Sequence, residues 1–206
     1  MKVLGIASLS ASVLLALAPE ASVAAPAKPV AGEHRLNAEE IRALAKREVL
    51  WCDDYKSAND DCEAITLVRL APDGRLAETT TLLISDGPRL QAFLGEFDEV
   101  KGDRVCSKVA VAGMPMSFVM EGKPVSDDAA MGLRAIMAQS LADLEGKTVC
   151  QSFYRGAEPD RLREEVTVDG KRREDLETTY LLRENNGSGF GLRSQVGKDE
   201  KKGSAI

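Results

Sequence analysis

Hydrophobic positions recur at helical spacing in three parts of the chain. Ile41, Leu44 and Ala45 share one helical face and follow Asn37, which has Glu40 three residues later, so a capped helix is predicted at about 38–47. A second helix is predicted at about 127–144 from the spacing of Met131, Leu133, Ile136, Met137, Leu141 and Leu144.

A shorter third helix is predicted after the segment 85–88. Pro88 suits the first turn of a helix, and Leu90, Phe93 and Leu94 then fall on one helical face. This third helix lies between two segments that are predicted to be strands, so its assignment decides how much of the fold is helical.

Apolar runs rich in β-branched residues predict most of the remaining elements. Pro72-Asp73-Gly74 and Asp169-Gly170 are turn signals between such runs. The predicted strands are 49–52, 64–70, 76–84, 105–112, 116–120, 147–154, 162–168 and 177–182. The whole pattern predicts an α+β fold, in which an antiparallel sheet of hairpins carries two or three helices on one face.

Two parts of the chain show the same order of predicted elements. The segments 38–84 and 127–183 each read as a helix followed by three strands, with Cys52 and Cys150 on the first strand of each. An internal duplication would give this pattern, and so would any two unrelated helix-plus-hairpin units.

The chain divides into four parts by composition. Lys2, the apolar run 3–18 and the small residues of Ser22-Val23-Ala24-Ala25 are typical of a cleaved signal peptide at 1–25. We then expect a flexible linker at 26–36, a single globular domain at 37–184 and a disordered tail at 185–206. The localisation expected from the leader is the periplasm or the extracellular medium.

Charge and histidine content exclude several functions. The formal net charge is −6, which disfavours binding to nucleic acid, and the apolar leader is too short for a stable membrane span. The single histidine, His34, lies in the predicted linker, where it is badly placed for a Ser-His-Asp or Cys-His site or for metal ligation. No phosphate-binding or dinucleotide-binding glycine motif is found, and no cofactor is predicted.

The four cysteines follow the leader, so an oxidising compartment and disulfide bonds are expected. Of the three pairings that four cysteines allow, the favoured one joins Cys52 to Cys62 and Cys106 to Cys150. Redox catalysis and zinc binding are the alternatives, but a C-x-x-C motif is missing and the spacings are wide.

Two sets of residues are candidate sites. Trp51, Tyr55, Phe153 and Tyr154 lie on corresponding predicted strands and would line a ligand groove, or else pack in the core. A second set of oxygen-bearing side chains on one loop suits calcium, or simply keeps an acidic loop soluble. Its members are Asp54, Asn59, Asp61 and Glu63.

These observations favour an exported, non-catalytic binding or accessory protein whose ligand is a protein or a small molecule. Two alternatives remain, a hydrolase that works with carboxylates alone and a calcium-stabilised interaction domain.

Overall fold

The structure is a computed structural model that describes residues 32–187 and 189–195. The predicted leader at 1–25 and the first part of the predicted linker lie outside the described residues. None of the helices in the described ranges is long and apolar enough to span a membrane.

Short antiparallel strands make up most of the described chain. The helices are α1 (Ala38–Lys46) and α2 (Asp127–Ser140). The strands are β1 (His34–Arg35), β2 (Leu50–Asp53), β3 (Asp61–Cys62), β4 (Ala64–Leu70), β5 (Leu76–Asp86), β6 (Arg89–Lys101), β7 (Arg104–Lys108), β8 (Met116–Met120), β9 (Lys123–Pro124), β10 (Thr148–Arg155), β11 (Arg161–Val168), β12 (Lys171–Arg172), β13 (Thr179–Arg183) and β14 (Gly191–Leu192).

Within the described residues, eight of these strands form a closed antiparallel sheet. They follow one another in chain order, each paired with the next, and the last pairs with the first. Closure depends on β7, which pairs with β6 on one edge and with β10 on the other. The closed sheet consists of β2, β4, β5, β6, β7, β10, β11 and β13.

The predicted α+β fold is therefore wrong. The described chain is mostly antiparallel sheet, and it contains only two α-helices in those residues. The segment after Pro88, predicted to be a helix, is the long strand β6. Strand pairing on both edges explains this, because Ala92 lies opposite Leu82 of β5 and opposite Phe118 of β8. Tertiary pairing thus outweighs a helical spacing of only three apolar residues.

The two helices do not pack side by side on one face. The apolar face of α1 (Ile41, Leu44 and Ala45) belongs to a core cluster with inward side chains of all eight strands of the closed sheet. The helix begins at Asn37, whose side-chain oxygen accepts the backbone N–H of Glu39 at 2.9 Å and of Glu40 at 3.1 Å. α1 thus fills one end of the closed sheet.

α2 belongs to a second apolar cluster. Its side chains pack with β8 and with the parts of β5 and β6 that extend beyond β7. Inward positions of the closed sheet, such as Leu82, Leu94 and Val149, also belong to this cluster. The interior of the sheet therefore has an apolar cluster at each end.

The two predicted repeat units contribute differently to this arrangement. Each supplies a helix and three successive strands of the closed sheet, but α1 packs inside the sheet end while α2 packs against β8. Duplication of 38–84 and 127–183 stays a prediction.

Both predicted flexible segments contain ordered residues. At the end of the linker, β1 pairs with β10, and Leu36 is buried among the α1 core residues. In the predicted tail, β14 pairs with β3, and Phe190 packs against the Cys52–Cys62 disulfide. Strand pairing and a buried apolar side chain thus hold part of each segment, which composition alone does not reveal.

The prediction that the chain carries disulfide bonds is confirmed. One joins Cys52 of β2 to Cys62 of β3, and the other joins Cys106 of β7 to Cys150 of β10. Cys106 and Cys150 are direct cross-strand neighbours. The second disulfide therefore ties together the two strands whose pairing closes the sheet.

Candidate binding site

A set of polar side chains occupies the interior of the closed sheet between its two apolar ends. Side chains two residues apart on a strand point to the same face of the sheet. Leu76, Val100 and Leu162 belong to the interior core cluster. Glu78, Asp98 and Glu164 each lie two residues from one of them, so their side chains also face the interior. We call this set the polar layer, and its members are Asp53, Glu78, Glu96, Asp98, Glu164 and Tyr180.

On one side of the polar layer, carboxyl groups of neighbouring strands meet. Burial and the nearby carboxylates of Asp98, Glu96 and Glu164 raise the pKa of Glu78 well above its usual value. Burial and Glu96 raise the pKa of Asp98 to about 6. Glu96 is itself hydrogen-bonded by the Ser107 hydroxyl at 2.8 Å.

Glu78 and Asp98 share a hydrogen bond between their side chains, which requires a proton on one of the two carboxyls. Glu78 is half-buried, and its side chain lies among these acids.

Glu164 lies across the interior and is more deeply buried, with 2% of its surface exposed. Its Oε2 accepts a hydrogen bond from the Tyr180 hydroxyl at 3.2 Å. Its Oε1 is buried and has no hydrogen-bond partner of good geometry within the described residues, while the Gln151 side chain approaches the same carboxyl group and acts to lower its pKa. Burial raises the pKa of Glu164 to about 8, and the Asp53 carboxylate adds to this effect.

Three aromatic side chains lie beside these acids. The ring centroid of Trp51 is 5.0 Å from that of Phe153 and 5.4 Å from that of Tyr180, in edge-to-face geometry. The indole Nε1 of Trp51 is buried and lacks a hydrogen-bond partner within the described residues. The interior thus presents an unpartnered donor as well as an unpartnered acceptor.

A surface cleft of about 450 Å³ borders this region, and Glu164, Thr178 and Thr179 are among its lining residues. β11 pairs with β13 only at Arg161–Arg163, so the two strands part beyond Glu164. The Thr178 carbonyl accepts the backbone N–H of Glu164 at 2.9 Å, and the Thr178 hydroxyl donates to the Asp53 carboxylate of β2. Glu164 is the member of the polar layer that borders this cleft.

The structure does not bring the four predicted aromatic residues into one groove. Trp51 and Phe153 lie inside the closed sheet. Tyr55 lies outside, against Phe190 at 5.9 Å, and donates to Asp60 at 3.0 Å. Tyr154 lies elsewhere on the outer face, where the Arg163 guanidinium covers its ring at 4.3 Å.

The predicted calcium residues are found among cations of the protein. Asp54 pairs with Lys56 at 2.7 Å and with Arg193 at 3.0 Å, and Asp61 pairs with Arg193 at 2.5 Å. Asn59 donates its backbone N–H to the Lys56 carbonyl, and Glu63 lines the surface cleft. In residues 32–187 and 189–195, no group of three acidic, histidine or cysteine side chains is arranged to hold a metal ion.

We expect Arg193→Met to destabilise the protein by about 2 kcal/mol, because it leaves the partly buried Asp61 without its cation. The same change also removes hydrogen bonds to the carbonyls of Asp54 and Asp61. Urea unfolding measures the loss. Arg75→Met is the matched control, since its ion pair with Asp73 is local and exposed. Equal losses for the two variants would contradict this role of Arg193.

The carboxyls of the polar layer were not among the residues predicted from sequence. A signal for one of them exists, because Glu164 stands in the apolar phase of an alternating strand, between Leu162 and Val166. A charged residue among the apolar positions of an alternating strand indicates either that the other face of the strand is also buried or that the residue belongs to a functional site.

Comparison with known proteins identifies no relative: no family model, no curated protein and no solved structure matches this chain.

Proposed function

We propose that this protein is an exported, non-catalytic binding protein that holds one small molecule inside its closed sheet. The observation that carries the proposal is the pair of buried, unpartnered polar atoms, Trp51 Nε1 and Glu164 Oε1. Buried polar groups almost always have hydrogen-bond partners, and each one left without costs about 1–3 kcal/mol. A bound molecule that contacts both atoms would remove this cost.

The dimensions of the sheet support the same proposal. A closed sheet of eight strands is just wide enough to be filled by side chains or to hold one small ligand. Here apolar side chains fill the two ends, while the middle carries polar groups that reach the surface cleft.

Two features support export. Both pairs of cysteines are joined in disulfides, which persist in oxidising compartments, and the sequence predicts a cleaved leader at 1–25. An alternative hydrolase function gains no support from the Glu78–Asp98 pair, because these carboxyls contact each other and a glycosidase pair stands about 5 Å or more apart.

The protein contains its own reporter for the binding test, because Trp51 is its only tryptophan and lies in the interior. We expect the Trp51 fluorescence to change in a saturable way with at least one compound from a panel of small amines, alcohols and carboxylates. If every compound of the panel leaves both the fluorescence and the melting temperature unchanged, the proposal fails.

A matched pair of variants tests the route of entry. Thr179→Phe places a bulky side chain at the surface cleft, whereas Thr79→Phe places the same side chain at another exposed strand position outside that cleft. We expect Thr179→Phe to slow association at least tenfold in stopped-flow fluorescence, and Thr79→Phe to leave the rate within twofold. Equal rates for the two variants would show that the ligand enters elsewhere.

A further inference from the structure

We infer that the molecule held in the interior is a small organic cation, a protonated amine that also carries a hydrogen-bond acceptor. This inference rests on the proposed function. It assigns the polar layer as the site of the ammonium group and the Trp51 indole as the donor to the acceptor.

The sign of the charge follows from the composition of the polar layer. Five of its six members are carboxylic acids. The groups that act most strongly on Glu78, beyond burial, are three other carboxylates. An ammonium group placed among these acids stabilises their carboxylate forms, whereas an anion would be repelled by each of them that ionises.

The two unpartnered atoms identify the polar groups of the ligand. Glu164 Oε1 belongs to a side chain that is 2% exposed. In the carboxylate form this oxygen is a hydrogen-bond acceptor, and in the protonated form the carboxyl group carries a proton that an amine would displace. Trp51 is 4% exposed, and its Nε1 can only donate. A ligand that offers one donor and one acceptor fits both atoms, and an amine that also carries a hydroxyl group supplies these two.

The aromatic side chains favour an organic cation in particular. Trp51, Phe153 and Tyr180 pack against one another, and the Tyr180 hydroxyl contacts Glu164. A cation held by Glu164 therefore lies close to aromatic rings, which attract cations most strongly where water is excluded. The alkyl part of an amine can also pack against these rings.

Binding of such a cation must be accompanied by loss of protons from the acids whose pKa values are raised, which are Glu164, Glu78 and Asp98. The groups that face Glu164 are Asp53 of β2, Tyr180 of β13 and Glu177 just before β13, and Arg172 holds the pKa of Glu177 low. The groups that face Glu78 are Asp98 and Glu96 of β6 and Glu164 of β11. An ammonium group stabilises the carboxylate forms, so affinity should rise between pH 5 and pH 8 as the competing protons become scarce.

The test compares three four-carbon compounds that differ only in one terminal group: 4-aminobutan-1-ol, butane-1,4-diol and 4-hydroxybutanoate. They are titrated against the full chain at pH 7 with Trp51 fluorescence and isothermal titration calorimetry. We expect 4-aminobutan-1-ol to bind at least tenfold more tightly than the other two. We also expect its heats in phosphate and Tris buffers to reveal net proton release.

Three variants connect the effect to the polar layer. Glu164→Gln and Asp98→Asn should each weaken amine binding at least tenfold and reduce the number of protons released. Glu165→Gln is the matched control, because this adjacent carboxyl lies on the outer face beside Tyr154 and should leave the affinity within twofold.

Preferential binding of the diol or of 4-hydroxybutanoate would overturn the assignment of a cation but leave the interior binding site in place. Amine binding that is unchanged in both Glu164→Gln and Asp98→Asn would equally overturn it. Failure of all three compounds, together with the wider panel, would overturn the binding function itself.

Discussion

Replacing Glu164 with glutamine should make the protein more stable at pH 8 than the unchanged chain, by about 4 kcal/mol. Burial raises the pKa of the Glu164 carboxyl from 4.5 to about 8. Below pH 4.5 the folded and unfolded states both bind this proton. Between pH 4.5 and 8 the unfolded state loses it while the folded state keeps it, so stability falls as pH rises through that window. Glutamine has no such proton and still accepts the hydrogen bond from Tyr180.

The measurement is the free energy of unfolding by urea at pH 5, 6, 7 and 8. The unchanged chain should lose about 1.4 kcal/mol for each pH unit from this group, and Asp98, with a pKa near 6, should add to the loss at the lower end. Glu164→Gln should show a shallower fall, and Glu165→Gln should keep the full one. Identical slopes for all three chains would show that Glu164 is ionised in the folded state.

Removal of the Cys106–Cys150 disulfide should destabilise the protein by about 4 kcal/mol, compared with about 3 kcal/mol for Cys52–Cys62. The difference arises because the first disulfide spans 44 residues of sequence and the second spans 10, and a longer loop restricts the unfolded chain more. Unfolding of Cys106→Ala/Cys150→Ala and Cys52→Ala/Cys62→Ala measures both losses.

The two disulfides should also differ in where their loss is felt. Cys106 and Cys150 face each other across the β7–β10 pairing that closes the sheet. Without this bond we expect the backbone amides of β7 and β10 to lose protection from hydrogen exchange first. Loss of Cys52–Cys62 should instead affect β3 and β14, which it anchors with Phe190. Equal protection of β7 and β10 in both variants would contradict the role of this disulfide in closure.

Local signals in the sequence predicted much of the secondary structure. The Asn37–Glu40 capping box places the start of α1, and Ser126 begins α2, in agreement with the expected positions. The expected strands from 64 and 76 correspond to β4 and β5, joined at Asp73-Gly74. These features depend on residues within a few positions of one another.

Closure of the sheet could not be predicted in this way. It depends on β7 meeting β10 and on β13 meeting β2, and these pairs are far apart in the sequence. The assignment of β6 failed for the same reason, because Ala92 acquires its strand conformation from partners on both sides. Tertiary contacts decide these elements.

The polar layer was not predicted from the sequence, because the alternation of side chains along a strand does not tell whether a face that carries acids is exposed to solvent or enclosed. Glu78 lies in the same phase as Leu76 and Thr80, and an open sheet would allow that face to be wet. Only when the sheet closes does this phase become an interior. Trp51 and Phe153 were two of the four aromatic candidates, and they lie side by side in the structure. Tyr180, whose ring packs against both and whose hydroxyl contacts Glu164, was not a candidate.

The most direct test of the account is the titration of the Glu164 side-chain carboxyl, followed by its carbon-13 chemical shift in the presence and absence of 4-aminobutan-1-ol. We predict a midpoint near pH 8 for the free protein and a midpoint at least one pH unit lower with saturating amine. A midpoint near the ordinary value of 4.5 in the free protein, or one that the amine does not move, would contradict the claim that buried acids in the closed sheet hold a cation.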